Sequence, residues 1–254
     1  MTKILITGAT SGLGEALAKE ASKQGHHVIA CGRNQNKLDE LSVLDNVTTL
    51  KFDVTDENET RQALSSVECD IAVLNAGTCE YVNIKNIEPD MFRRVFDINL
   101  FGVMNVVASL LPNLKKGNKL VFVDSLARLL PFTRSQAYGA SKAALNYACK
   151  SFEVDLASRG IAVQSMSPGF VKTPLTSKND FPMPMAITAD EAAVYMLNGI
   201  LSARSSVYFP RRFSWMIRLL NLMPEFIHKK ICVNMRGSLS KNNKNNKLKE
   251  QTKS

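Results

Sequence analysis

Seven short runs rich in β-branched residues, at 3–7, 27–31, 48–52, 71–74, 120–123, 162–166 and 207–209, alternate with stretches of helical spacing at 14–24, 37–42, 57–66, 89–111, 138–158 and 189–201. A strand that leads through a helix to a second strand of the same sheet crosses over right-handed, which makes neighbouring strands parallel and covers both sheet faces with helices. The expected class is therefore α/β, a doubly wound parallel sheet in a single domain over 1–209. Such sheets bind ligands outside the carboxyl ends of their strands. The residues just past each run are the first candidates for function: Gly8 to Gly14, Gly32 and Arg33, Asp53 and Val54, Asn75, Ala76 and Gly77, Ser125, Pro168 and Gly169.

A chain of 254 residues can bury a large core, and 45% hydrophobic with 22% charged residues is ordinary for a water-soluble protein. No run approaches the roughly 18 apolar residues of a spanning helix, and the first residues read as a core strand rather than a signal peptide. Cys31, Cys69, Cys79, Cys149 and Cys232 lack metal-ligand spacing, which points to reduced thiols in the cytoplasm. His26, His27 and His228 are neither spaced as metal ligands nor set beside a nucleophile, so zinc and serine-hydrolase chemistry have no support. The net charge of +9 is local: 209–254 holds eleven of the 32 Lys and Arg but two of the 23 Asp and Glu, while 1–208 balances.

The stretch "ITGATSGLG" follows the first strand and opens a helix. Glycines at Gly8, Gly12 and Gly14, with the small or flexible Thr10, Ser11 and Leu13 between them, let backbone N–H groups and the positive helix end meet a pyrophosphate. Strand, glycine turn and helix come in the order of a dinucleotide fingerprint, although the spacing is GxxxGxG and not GxGxxG. An acidic residue about 20 positions on would accept the ribose hydroxyls of NAD, whereas an arginine accommodates a 2′-phosphate. Here Arg33 stands 19 residues past Gly14 with no acid beside it, and the expected cofactor is NADP(H).

With GxxxGxG, Asn75-Ala76-Gly77, Ser125, "YGASK" and "SPGFVKT" in order along one α/β chain, the sequence resembles the short-chain dehydrogenase/reductase family over 1–209. The resemblance implies a Rossmann-like fold, a nicotinamide cofactor and a tetrad on Asn99, Ser125, Tyr138 and Lys142. It implies Asp53, with Val54, near the adenine; Asn75, Ala76 and Gly77 beneath the adenine-side ribose; and Pro168, Gly169, Val171 and Thr173 along the nicotinamide, with Thr173 meeting its carboxamide. Two positions depart from the family pattern: Asp124 precedes the serine where Ser or Gly is usual, and Leu74 replaces the first Asn of Asn-Asn-Ala-Gly.

Tyr138 and Lys142 stand four apart in a helical run, so they share a face. A ketone accepting hydride develops negative charge on oxygen and needs a proton donor and an oxyanion-stabilising network. A free phenol, with a pKa of about 10, is a sluggish partner, and the neighbouring Lys142 ammonium, together with the oxidised nicotinamide when present, is expected to pull that value down. By the resemblance, Lys142 also holds the nicotinamide ribose, Ser125 orients the substrate oxygen and Asn99 supports a water.

Between Thr173 and Thr188, "PLTSKNDFPMPMAI" reads as an adaptable lid, with Leu129 and Phe132 as the opposite wall. Thr188-Ala189-Asp190-Glu191 is a capping-box pattern that starts the last core helix. Past the last strand, 210–240 reads as an amphipathic helical extension whose polar stripe is Arg211, Ser214, Arg218, Asn221 and Glu225, interrupted at Pro224. Its apolar faces suit the substrate cleft, a second subunit or the inner face of a membrane. The basic, Asn-rich 241–254 reads as a disordered tail without the interleaved aromatics of specific nucleic-acid binding.

The expected protein is a cytoplasmic, homo-oligomeric, NADP(H)-dependent oxidoreductase acting on a hydrophobic, lipid-like carbonyl or alcohol, chiefly by reduction. A catalytically weak dinucleotide-binding regulator or scaffold of the same fold is the open alternative, since doubly wound sheets host many functions. Arg33→Asp is expected to reduce the preference for NADPH over NADH; an unchanged ratio of the two binding constants would remove Arg33 from cofactor choice.

Overall fold

The computed structural model describes residues 1–177, 179 and 181–233. Strands and helices follow in the order β1 (Lys3–Thr7), α1 (Gly12–Lys23), β2 (His27–Gly32), α2 (Gln35–Ser42), β3 (Val47–Lys51), α3 (Glu57–Leu64), β4 (Ile71–Leu74), α4 (Pro89–Phe96), α5 (Gly102–Leu110), β5 (Lys119–Val123), α6 (Gln136–Leu156), β6 (Ala162–Pro168), β7 (Val171–Lys172), β8 (Ile187–Thr188), α7 (Ala189–Leu201), β9 (Ser206–Phe209) and α8 (Arg211–Asn221). All pairings of the seven-stranded sheet, ordered β3-β2-β1-β4-β5-β6-β9, are parallel. This is the expected Rossmann-like doubly wound sheet.

The two-residue period of a strand sends alternate side chains to opposite faces. Ile4, Ile6, Val121 and Val123 join Leu17, Met196 and Leu197 in one core, facing α1 and α7. Leu5, Leu120 and Phe122 join Val103, Leu110 and Leu145 in the other, facing α5 and α6. Both faces are dry, which is why the strands read as continuous apolar runs. Each fully buried Leu, Ile or Phe contributes about 1.5–3 kcal/mol. Together the two cores anchor the strand ends that carry polar residues.

Two expectations change. The helix expected over 89–111 is divided by a π-helical turn, Asp97–Phe101, between α4 and α5. One residue is accommodated there at a wider turn, a device common at functional sites. The loop after Thr173 is pinned at its base by the two-residue pair β7 and β8, too short for any periodicity to reveal. The capping box is present, with Thr188 Oγ1 accepting from Glu191 N at 3.1 Å and Thr188 N donating to Glu191 Oε2 at 2.8 Å.

The extension is helical to Asn221, and helical backbone resumes past Pro224 over 225–233. Its expected continuation to 240 and the tail at 241–254 lie outside the described residues. Phe213, Ile217 and Leu220 pack with Leu126, Leu129, Leu130, Phe132 and Phe170, so one apolar face rests on the protein itself. Ser214, expected in a polar stripe, is buried, and its hydroxyl turns back to Arg211 O at 2.9 Å. Among the described residues no helix is long and apolar enough to cross a membrane.

Where α1 leaves the first turn the backbone is crowded, and a Cβ on Gly14 would stand 2.3 Å from Gly8 O and 2.6 Å from Asn75 Nδ2. Neither neighbour is free to retreat, because Asn75 Nδ2 donates to Thr7 O at 3.0 Å. Gly14→Ala is expected to cost at least about 1–3 kcal/mol, the usual range for overpacking, read as a lower urea midpoint at unchanged slope.

Candidate active site

The carboxyl ends of β1 and β4 are sewn together by one threonine. Thr7 Oγ1 accepts from Asn75 N at 3.0 Å and Ala76 N at 3.1 Å. Above this seam the chain turns through Gly8 (φ +67°) and Gly12 (φ +55°), both in the left-handed region that glycine enters without strain. Ser11 precedes α1 without capping it through its side chain, which leaves N–H groups of the first turn open to an anion. A Cβ on Gly12 would lie 3.2 Å from Thr173 Cβ, so the turn and the segment after β6 face each other closely.

Between them runs a cleft of ≈ 480 Å³. Every residue expected to hold cofactor lines it: Gly8, Thr10 to Gly14, Arg33, Asp53, Val54, Asn75, Ala76, Gly77, Tyr138, Lys142, Pro168, Gly169, Val171 and Thr173. At the β2 end Arg33 Nη1 donates to Asp53 Oδ2 at 3.0 Å. Burial raises the Asp53 carboxyl, but hydrogen bonds from Thr55 N and Oγ1 and from Arg33 outweigh it and hold the group below its ordinary value. The pair is largely exposed, and such pairs contribute about 0.2–1 kcal/mol, so Arg33 can turn to a phosphate at little cost. Glycines at the turn and a cation at the mouth fit a dinucleotide with a charged adenine-side ribose.

At the other end α6 brings up Tyr138 and, one turn on, Lys142. The Tyr138 phenol and the Ser125 hydroxyl approach one another without a hydrogen bond of ordinary geometry. Ser125 caps a short 3₁₀ turn, Leu126–Arg128, its Oγ accepting from Ala127 N at 3.1 Å. Lys142, 4% exposed, donates from Nζ to Val123 O at 2.8 Å. Asn99 lies behind the cleft wall in the π-helical turn. It accepts from Thr78 N at 2.7 Å and donates to Thr78 O and Ser141 Oγ, each at 2.9 Å. A Cβ on Gly77 would meet Asn99 Oδ1 at 3.2 Å and Lys142 Nζ at 3.3 Å, so a side chain there would push on both groups where they converge.

The electrostatics correct one expectation. Burial pushes the Tyr138 phenol above its ordinary value, the nearby Ser125 hydroxyl works against that, and Cys79 and Asp124 add to it. The Lys142 ammonium does not set this balance. Its own value is pushed down to about 8 by burial, with Asp124 and Cys79 opposing. At neutral pH the phenol is thus protonated, a donor, and the ammonium keeps its charge.

Leu129 and Phe132, expected as the opposite wall, pack against Phe213 and Ile217 of α8 and are not among the residues lining the cleft. Aromatic rings rather than methionines dock the loop after Thr173. Phe181 meets Tyr81 edge-on at 5.5 Å and Phe170 at 6.2 Å, while Tyr81 Oη donates to Asn179 Oδ1 at 2.5 Å. Met185 is exposed. Lys178 and Asp180 of this loop lie outside the described residues. Sequence reasoning passed over Thr7, Thr78 and Thr176, all on the cleft. Thr7 sits between the first strand and its glycine turn, a position that signals a sheet-edge hydroxyl; the other two carry no local signal. Among the described residues no His, Cys, Asp and Glu gather as a metal site.

A model of the short chain dehydrogenase family matches residues 2–182. An uncharacterized oxidoreductase of Myxococcus xanthus is 33% identical over 232 residues, spanning 87% of this chain and 92% of its own. Serine 3-dehydrogenase of Agrobacterium fabrum is 33% identical over 214 residues, 75% and 84% of the two chains. Among solved structures, a serine dehydrogenase in its closed form complexed with NADP+ superimposes with a TM-score of 0.74 at 25% identity, covering 82% of this chain and 94% of that one. A short chain dehydrogenase from Burkholderia cenocepacia, in complex with NADP, shares the fold with a TM-score of 0.81 at 23% identity over 90% and 96% of the chains. With the family model spanning β1 to β7 and most of the loop that follows Thr173, the chain belongs to the short chain dehydrogenase family and is an oxidoreductase.

Proposed function

We propose that this oxidoreductase uses NADP(H) to interconvert a ketone or aldehyde with an alcohol on an apolar substrate, chiefly in the direction of reduction. The approach of the Tyr138 phenol to the Ser125 hydroxyl, with Lys142 one helical turn on, at one end of a cleft that begins at the glycine turn, carries the reading. Arg33 at the mouth favours a 2′-phosphate, and the serine dehydrogenase of like fold holds NADP+. When bound, the cofactor supplies or accepts hydride. Ser125 and Tyr138 then bind the carbonyl oxygen, and Tyr138 gives it a proton. Lys142 keeps a positive charge beneath the developing alkoxide, and Asn99 holds the segment of Thr78 against α6. A protonated phenol at neutral pH favours reduction over oxidation. The partly buried Leu129, Phe132 and Phe170 make the neighbouring surface apolar, which favours hydrophobic carbonyls over small polar ones.

The outer face of α8 favours contact with an anionic lipid surface as a further part of this reading. Trp215, Leu219 and Leu222 follow at intervals of four and three and are 67%, 59% and 82% exposed, opposite the face that Phe213 and Ile217 bury. Arg211, Arg212 and Arg218 flank the stripe, and Arg218 stacks over Tyr208 at 4.5 Å without a carboxylate partner among the described ion pairs. Six more Lys and Arg against one Glu follow in 234–254. An apolar stripe between cations matches an anionic bilayer in both hydrophobicity and charge.

Two measurements test these statements. In Tyr138→Phe, NADPH binding is expected to stay within about twofold, while NADPH oxidation with 4-nitrobenzaldehyde or decanal falls by about 10²–10⁴-fold, the range of a lost general acid; full activity would end the mechanism. In flotation, the protein is expected to rise with phosphatidylglycerol vesicles and not with phosphatidylcholine, and to stay below in Trp215→Ser/Leu219→Ser/Leu222→Ser. Equal behaviour of the variant would exclude this face.

A further inference from the structure

Asp124 departs from the family pattern, and its surroundings give that departure a physical role. Its side chain closes β5, borders the cleft and is 1% exposed. Burying a carboxylate is costly unless it is hydrogen-bonded. Oδ2 takes two such bonds, from Arg128 Nε at 3.0 Å and Asn146 Nδ2 at 2.7 Å. Oδ1 and the nearby Ser167 hydroxyl approach one another without a hydrogen bond of ordinary geometry.

The two donors come from different elements. Arg128 ends the 3₁₀ turn that Ser125 caps, so its guanidinium fixes the far side of the turn that aims the serine hydroxyl. Asn146 is on α6, one turn past Lys142 and two past Tyr138, and residues spaced by four lie on one helix face. One oxygen atom thus joins the serine turn to the helix face that bears the phenol and the ammonium. The charged groups around the carboxylate are Arg128 from the turn and Lys142 from α6; Tyr138 and Cys149, both on α6, feel its charge, and Cys79 feels that of Lys142. Burial raises the Asp124 carboxyl, and Arg128, Ser167, Asn146 and Lys142 all oppose the rise.

We propose that Asp124 is a positioning residue: through Arg128 and Asn146 its carboxylate ties the Ser125 turn to the Tyr138–Lys142 face of α6 and holds hydroxyl, phenol and ammonium in one register. The inference rests on the carbonyl chemistry proposed above. Asp124 touches no reacting atom; it acts by keeping Ser125 within reach of Tyr138. An error of about 1 Å in such a pair costs on the order of 10²-fold.

The test compares Asp124→Ala, Asp124→Asn and Asn146→Ala with the wild-type chain and Tyr138→Phe, using NADPH and 4-nitrobenzaldehyde. Asp124→Ala is expected to lose at least tenfold in kcat with the NADPH Kd unchanged within twofold, and crystals should show a longer Ser125 Oγ to Tyr138 Oη distance. Asp124→Asn keeps an acceptor oxygen for both donors and should recover most of kcat. Having lost the buried negative charge, it should lose activity at lower pH on the alkaline side, because the carboxylate raises the value at which Lys142 gives up its proton. Asn146→Ala breaks one arm of the tie and should fall between; where Asp124→Ala fails to fold, it and Asp124→Asn carry the comparison. Equal losses in the Ala and Asn variants, an unchanged alkaline limb, or kcat within twofold of wild type in Asp124→Ala or Asn146→Ala would overturn the tie. Activity retained in Tyr138→Phe would instead overturn the underlying chemistry, so the two failures are distinguishable.

Discussion

Water is kept from both faces of the parallel sheet, and the placement of the polar groups that line the cleft follows from that. β1 contributes Ile4, Leu5 and Ile6 at 0% exposure, to one core and then the other. Polar residues along such strands need partners, as Gln164 of β6 finds in Gly199 O and Arg204 O, and others collect at the carboxyl ends, where backbone groups leave the ladder and turn toward solvent. The cleft is the result: a row of strand ends, with α1 offering its positive end and α6 offering a phenol and an amine.

Those polar groups are themselves buried, which makes their arrangement stiff. Thr7, Asn99, Ser141 and Lys142 are each below a tenth exposed, and each has a hydrogen-bond partner in another segment of the chain. Leaving one of them unpaired costs about 1–3 kcal/mol, so the network tolerates few alternatives. The π-helical turn at Asp97–Phe101 belongs to this set: it departs from regular helix at the residue, Asn99, whose amide must reach both Thr78 and Ser141. Burial also governs the chemistry. It lifts the phenol of Tyr138 and lowers the amine of Lys142, giving a neutral donor above a cation.

The alternation of strands and helices, the glycine turn, Arg33 and the Ser125, Tyr138 and Lys142 positions were legible because each rests on local spacing. Period two and period 3.6 are properties of a few consecutive residues, and so is a glycine needed for positive φ. Thr78 and Thr176 were not legible, since nothing near them in the chain differs from an ordinary loop. Nor was the docking of the loop past Thr173, where methionines were expected to close and Phe181 against Tyr81 and Phe170 does so instead.

The chain's amino acids alone therefore determined the class of fold, the end of the sheet that binds, and the side chains available there. Tertiary structure decided their charge states and their mutual aim. A pKa depends on how much water the surrounding elements remove, and the tie from Asp124 to Arg128 and Asn146 spans 22 residues of chain between β5 and α6. Distances of that kind are set by packing, and packing is a property of elements that meet only when the molecule is folded.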